Sequence, residues 1–103
     1  MSAGEIRVGD IGTIFRATIK DQNGTVVDVS GAAVRQLIFR KSNMTTITKT
    51  ATMTTDGTDG KIEYATVASD LNMAGSWQLQ GYVEIGAGKW HSDIESFTVH
   101  ANL

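Results

Sequence analysis

The chain has 103 residues and a formal net charge of −2, enough for one domain with a single core and too short for two. Its nine Lys and Arg are scattered, Arg40-Lys41 being the only adjacent pair, which excludes the basic patch that nucleic-acid backbones require. There is no cysteine, so disulfide frameworks and thiolate metal sites are excluded, and no apolar run nears the roughly 20 residues of a membrane helix.

The first ten residues carry Glu5, Arg7 and Asp10 without an apolar stretch, so no secretory signal is expected and synthesis is placed in the cytoplasm. Residues 1–5, with Ser2-Ala3-Gly4, are expected to form a mobile lead-in, and residues 6–103 one domain. Proline is absent and there are 11 glycines, so turns must be built from Gly, Asn and Asp.

Thr13 to Lys20 alternates, with Phe15, Ala17 and Ile19 on one face and Arg16, Thr18 and Lys20 on the other; period two predicts a half-buried strand. Ile14 falls on the polar side. Asp21-Gln22-Asn23-Gly24 is a turn signal, and Thr25 to Val29 is expected to return as a short strand. Val34 to Lys41 is predicted as a strand with Leu37 and Phe39 inward. Thr46, Thr48, Thr50, Thr52 and Thr54 alternate with Ile47, Lys49, Ala51 and Met53. A β-branched ladder of that kind suits one solvated sheet face.

Asp56-Gly57-Thr58-Asp59-Gly60 predicts a hairpin turn, after which Lys61 to Thr66 pairs back with Ile62 and Tyr64 inward. Residues 69–74 are expected to form one helical turn, capped by Ser69, plugged by Leu71 and ended by Gly75. Ser76 to Ile85 puts Trp77, Leu79, Val83 and Ile85 on one face and Gln78, Gln80, Tyr82 and Glu84 on the other. Gly86-Ala87-Gly88 turns the chain, and Trp90 to Val99 closes it, with Phe97 and Val99 inward. About seven short antiparallel strands separated by turns predict an all-β sandwich.

Candidate chemistry is sparse. The Asp56 to Gly60 segment lacks the oxygen spacing of a calcium loop, its twelfth position being Val67 rather than Glu, so no metal is expected. His91 and His100 are the only imidazoles. Asp93 shares a face with His91 on a regular strand, while Ser92 points away unless a bulge intervenes, so no catalytic set is assigned. The Gly86 to Gly88 segment has no helix after it to make a phosphate site. Trp77 reads as core. Trp90, Tyr82 and His91 are the candidate interface residues, because aromatic side chains beside a turn or on a polar sheet face serve as contact anchors.

Several segments share an order with a known family. They are Val8-Gly9-Asp10, the strand from Phe15 to Lys20 with Asp21-Gln22-Asn23-Gly24-Thr25-Val26-Val27-Asp28, and the Asp56 to Gly60 hairpin. Asp70-Leu71, Ala74-Gly75-Ser76-Trp77, Lys89-Trp90-His91-Ser92-Asp93 and Phe97-Thr98-Val99 follow. Together they resemble the immunoglobulin-like N-terminal domain of bacteriophage baseplate upper proteins and related small tailed-phage structural proteins, over about Ile6 to Val99. The resemblance implies an immunoglobulin-like β-sandwich and a non-enzymatic virion role at the baseplate, tail, neck or capsid surface. It further implies docking onto other phage structural proteins as a homo-oligomer, in particles assembled in the host cytoplasm. No cofactor, nucleic acid or membrane is expected. The alternative is a module that binds a host cell-surface glycan or receptor through Trp90 and Tyr82. The sequence stops at Leu103 without a receptor-binding module, so the expectation is a free-standing docking domain.

Overall fold

A computed structural model describes residues 6–102; the expected lead-in at residues 1–5 lies outside the described residues. Nine strands follow in order: β1 (Ile6–Arg7), β2 (Ile14–Thr18), β3 (Val34–Arg40), β4 (Thr46–Thr50), β5 (Thr52–Met53), β6 (Lys61–Ala65), β7 (Gly75–Ile85), β8 (Gly88–His91) and β9 (Glu95–His100). One sheet has the order β1-β9-β7-β3-β4, with β8 also on β7, and the other has the order β2-β6-β5. All pairings are antiparallel except β1 with β9, where Ile6 meets Val99 in parallel.

The two sheets face each other because alternation gives each an apolar side. Phe15 and Ala17 of β2 and Ile62 of β6 face Leu37 and Phe39 of β3, Trp77, Leu79 and Val83 of β7 and Val99 of β9, all of them buried. Each fully buried aliphatic side chain contributes about 1.5–3 kcal/mol, so this layer rather than surface charge holds the sheets together. Phe15 packs on Phe39 and Phe97 at ring separations of 5.3 and 4.6 Å. The Trp77 indole is buried, as expected, and its N–H donates to the Met73 carbonyl at 3.2 Å. Val29 and Ala32 close one end of the core and Leu71 the other. Between the sheets Gly81 lies against Ala17, and a Cβ there would come within 2.8 Å of the Ala17 methyl, so the layers touch where glycine removes a side chain.

Three expectations are corrected. No helical turn forms at residues 69–74, which are turns and bends. Ser69, the expected cap, has φ +71°, a left-handed conformation that cannot open a right-handed helix. The Asp70 N–H closes a turn onto the Val67 carbonyl, and the Asp70 carboxylate accepts the Val67 N–H. Thr25 to Val29 is not a strand; its pairing is a single bridge between Lys20 and Val26.

The threonine ladder is not one face. β4 ends at Thr50, buried Ala51 crosses between layers, and Thr52 pairs with Glu63 in the other sheet. Arg35 fixes that crossing by donating to the Ala51 and Ala32 carbonyls at 3.4 and 2.9 Å. Lastly, β1 has no counterpart among the predicted strands, since two residues show no period.

Candidate docking surfaces

β7 and β8 form a hairpin whose two-residue turn, Gly86-Ala87, starts with a glycine at φ +57°, the geometry a type II′ turn demands. The hairpin divides the three candidate residues. Tyr82 pairs with His91 and Val83 with Trp90, and directly paired residues share a face. Tyr82 and His91 therefore sit together on the outer face, their rings 4.8 Å apart. The Tyr82 hydroxyl donates to Glu84 at 2.6 Å; that bond, then burial and the Glu84 charge, raises the phenol above its ordinary pKa. Trp90 shares the inner face with buried Val83, packs against the core and lays its indole over Gly88. The outer face thus has two aromatic anchors rather than three.

Beyond His91 the strand bulges. Tyr82 pairs with His91 and Leu79 with Glu95, so Gln80 and Gly81 oppose Ser92, Asp93 and Ile94, one residue more. Ser92, next to outward His91, faces inward as alternation dictates: its N–H donates to the Gly81 carbonyl, and its hydroxyl accepts the Gly81 N–H at 2.7 Å and donates to the Asp93 carbonyl. Ser92 is buried while His91 is exposed on the opposite face, so the bulge does not bring them together. It lifts Ile94 onto the outer face, 60% exposed, beside Ile38, Gln78 and Gln80.

Among the described residues the longest open sheet margins are β2 in one sheet and β4 in the other, five residues each; the shorter β1, β5 and β8 also end their sheets. Along β2, Thr66 bonds to the Thr13 carbonyl and Ile19 to Gly60. Alternation of an antiparallel ladder then turns the N–H and C=O groups of Ile14, Arg16 and Thr18 outward. A shallow concavity lined by Asp10, Ile11, Gly12, Thr13, Ile14 and Arg16 adjoins this edge, with Ile11 68% and Ile14 47% exposed. Arg16 donates to Glu63 at 2.9 Å on the outer face, and that bond lowers the Glu63 pKa.

The far end of the core holds a polar cluster absent from the sequence reading. The Asp70 carboxylate accepts the Tyr64 hydroxyl at 2.5 Å and the Val67 N–H at 2.8 Å and pairs with the Lys49 ammonium at 3.0 Å. Burial pushes the Asp70 pKa up, but the Tyr64, Val67 and Lys49 donors together hold it below the ordinary value. Tyr64 is pushed up to about 12, by burial first and then by the bond and charge of Asp70. One sequence signal pointed here: Lys49 is in phase with Ile47 and Ala51, and a cation on an apolar face needs a buried anion. The cluster fastens the 66–74 segment to β4 and β6. Among the described residues no group of three His, Asp or Glu side chains is placed to hold a metal ion. No family model matches the chain, and neither a curated protein nor a solved structure matches it.

Proposed function

We propose that this chain is an immunoglobulin-like, non-enzymatic structural component of a bacteriophage particle that works by docking onto other particle proteins. The observation that carries the fold reading is the strand order. Taken in sequence, β2, β6 and β5 would correspond to strands B, E and D, and β9, β7, β3 and β4 to G, F, C and C′, an order that supports the variable-domain type. Two features depart from antibody domains: the buried indole is on β7 rather than β3, and with no cysteine there is no inter-sheet disulfide.

The docking reading draws on the same order. A two-layer body whose longest open margins are β2 and β4 offers main-chain groups to a neighbouring strand, the mode in which backbone bonds give affinity and flanking side chains give selectivity. The particle assignment rests on the sequence resemblance. A glycan-binding role draws less support, because Trp90 is committed to Gly88 and the core, leaving Tyr82 and His91 without a wider aromatic platform. Mass spectrometry of gradient-purified particles from a lysate producing the chain tests the assignment. The expected result is co-purification at a fixed ratio to the major structural proteins; an abundant chain that stays wholly in the soluble fraction overturns it.

A further inference from the structure

We propose that the open margin of β4 pairs with the same margin of a second copy of this chain, antiparallel, about a two-fold axis through Thr48. The inference rests on the docking reading and names its partner and surface. Lys41 donates its N–H to Thr45 and Ala51 donates to Arg35, so the odd-numbered residues of this segment bond to β3 and Thr46, Thr48 and Thr50 turn their N–H and C=O outward. The side chains of those three also lie on the solvated face. They are chemically palindromic: in the register centred on Thr48, Thr46 meets the partner's Thr50 and Thr48 meets the partner's Thr48. Every cross-copy pair on that face is Thr with Thr, a favourable neighbour pair, and no like charges oppose each other.

Natural sheets protect such margins with proline, with charge, or with a covering segment. The chain has no proline. Its one charge on β4, Lys49, is drawn inward to Asp70 at 3.0 Å. Among the described residues nothing pairs with this side of β4. The same register gives a place to Met44, which is 68% exposed at φ +72° in the β3–β4 turn, by bringing it opposite the partner's Thr52, where that chain crosses between sheets. β2 differs in carrying Arg16 on its outer face, so a two-fold pairing there would set two guanidinium groups side by side.

A five-residue margin buries less than the roughly 1,200 Å² of a standard interface, so free copies associate weakly and gain strength where many are held together. With no native cysteine, cross-linking reads the register directly. Paired Cα atoms lie about 5.5 Å apart, within disulfide reach, so Thr48→Cys should form a covalent dimer under mild oxidation or with a short bismaleimide. Thr46→Cys faces its own mate from about 14 Å, at ~3.4 Å per residue, and should cross-link at least tenfold more slowly, while the double variant Thr46→Cys/Thr50→Cys restores the fast rate. Thr48→Pro removes an outward N–H that β3 does not use, and should weaken association in sedimentation velocity at least tenfold with the urea midpoint unchanged; Thr48→Lys gives the same loss. Equal rates for all cysteine positions, or undiminished association in both Thr48 variants, overturn the pairing. A chain found in particles that fails these arms keeps its docking role and loses this partner. One that passes them but is missing from particles keeps the partner and loses the phage assignment.

Discussion

Lys49 and Arg16 look alike on paper: each is the cation of a five-residue strand at the open margin of its sheet, and each contacts a carboxylate at about 3 Å. They work oppositely. Lys49 points between the layers, its side chain 31% exposed against an Asp70 side chain at 9%, whereas Arg16 points to solvent at 58% against Glu63 at 24%. In the less polar setting, breaking a pair strands charge that the protein cannot hydrate; in the exposed setting water takes over. The inner cation is thus committed to holding the fold and leaves its margin bare, while the outer one contributes little to the fold and guards its margin.

The sharpest way to break that contrast is Asp70→Ala. It leaves the Tyr64 hydroxyl, the Val67 N–H and the Lys49 ammonium without their shared acceptor, and removing one member of a buried charged cluster costs about 3 kcal/mol. Urea denaturation should show the midpoint falling with an unchanged slope. Because the folded state lowers the Asp70 pKa, its stabilisation is fully present above the ordinary carboxylate value of about 3.9 and is lost as pH falls below it. The variant should therefore lose the part of the acid-side slope that Asp70 supplies. A variant as stable as the parent, with the same acid limb, would mean that the cluster fastens nothing.

Tyr64→Phe tests the same cluster from its neutral member, with a smaller effect of about 1.5 kcal/mol for one hydrogen bond to a charged acceptor. Its alkaline behaviour separates it from a general loss of packing. Folding raises the Tyr64 pKa from about 10 to about 12, so the folded state holds the proton longer. The stabilisation is complete below pH 10 and drains away between pH 10 and 12. The parent should lose stability across that window and Tyr64→Phe should lose distinctly less.

How far the sequence reaches follows from which contacts are periodic. The inward set of β7, from Trp77 through Leu79 to Val83, and that of β2, Phe15 and Ala17, are buried as alternation predicts, because a period of two has one physical cause. What alternation cannot report is a change of partner. Thr46 to Thr54 reads as one ladder, yet buried Ala51, held by Arg35, sends its halves to different sheets. Ser69 to Ala74 carries the composition of a capped helical turn, but the Asp70 carboxylate is committed to Tyr64 on β6, six residues back, and to Lys49 on β4, farther away in sequence. Trp90 was legible as a residue beside a turn; that its indole lies over Gly88 depended on the hairpin register. The open margins were hidden for the same reason, since an edge is defined by the strand that is not beside it.

The smallest effect on stability, and the one most telling for the contrast, is expected from Arg16→Ala. Arg16 is mostly exposed and its bond to Glu63 lies at the surface, so the urea midpoint should not move measurably. Association should change instead. Removing the guanidinium exposes a margin whose outward backbone groups are flanked by Ile11 and Ile14, and any antiparallel pairing centred there no longer opposes two positive charges. Introducing the change in a Thr48→Pro background silences β4, so that light scattering reports β2 alone. The Arg16-containing protein should stay monomeric at low salt and associate slightly as salt screens the repulsion, while the Arg16→Ala form should associate at all salt concentrations. If it remains as monomeric as its parent throughout, charge is not what keeps β2 unpaired, and the difference between the two margins must lie in their shape, with the concavity at Asp10 to Arg16 holding an approaching strand out of register.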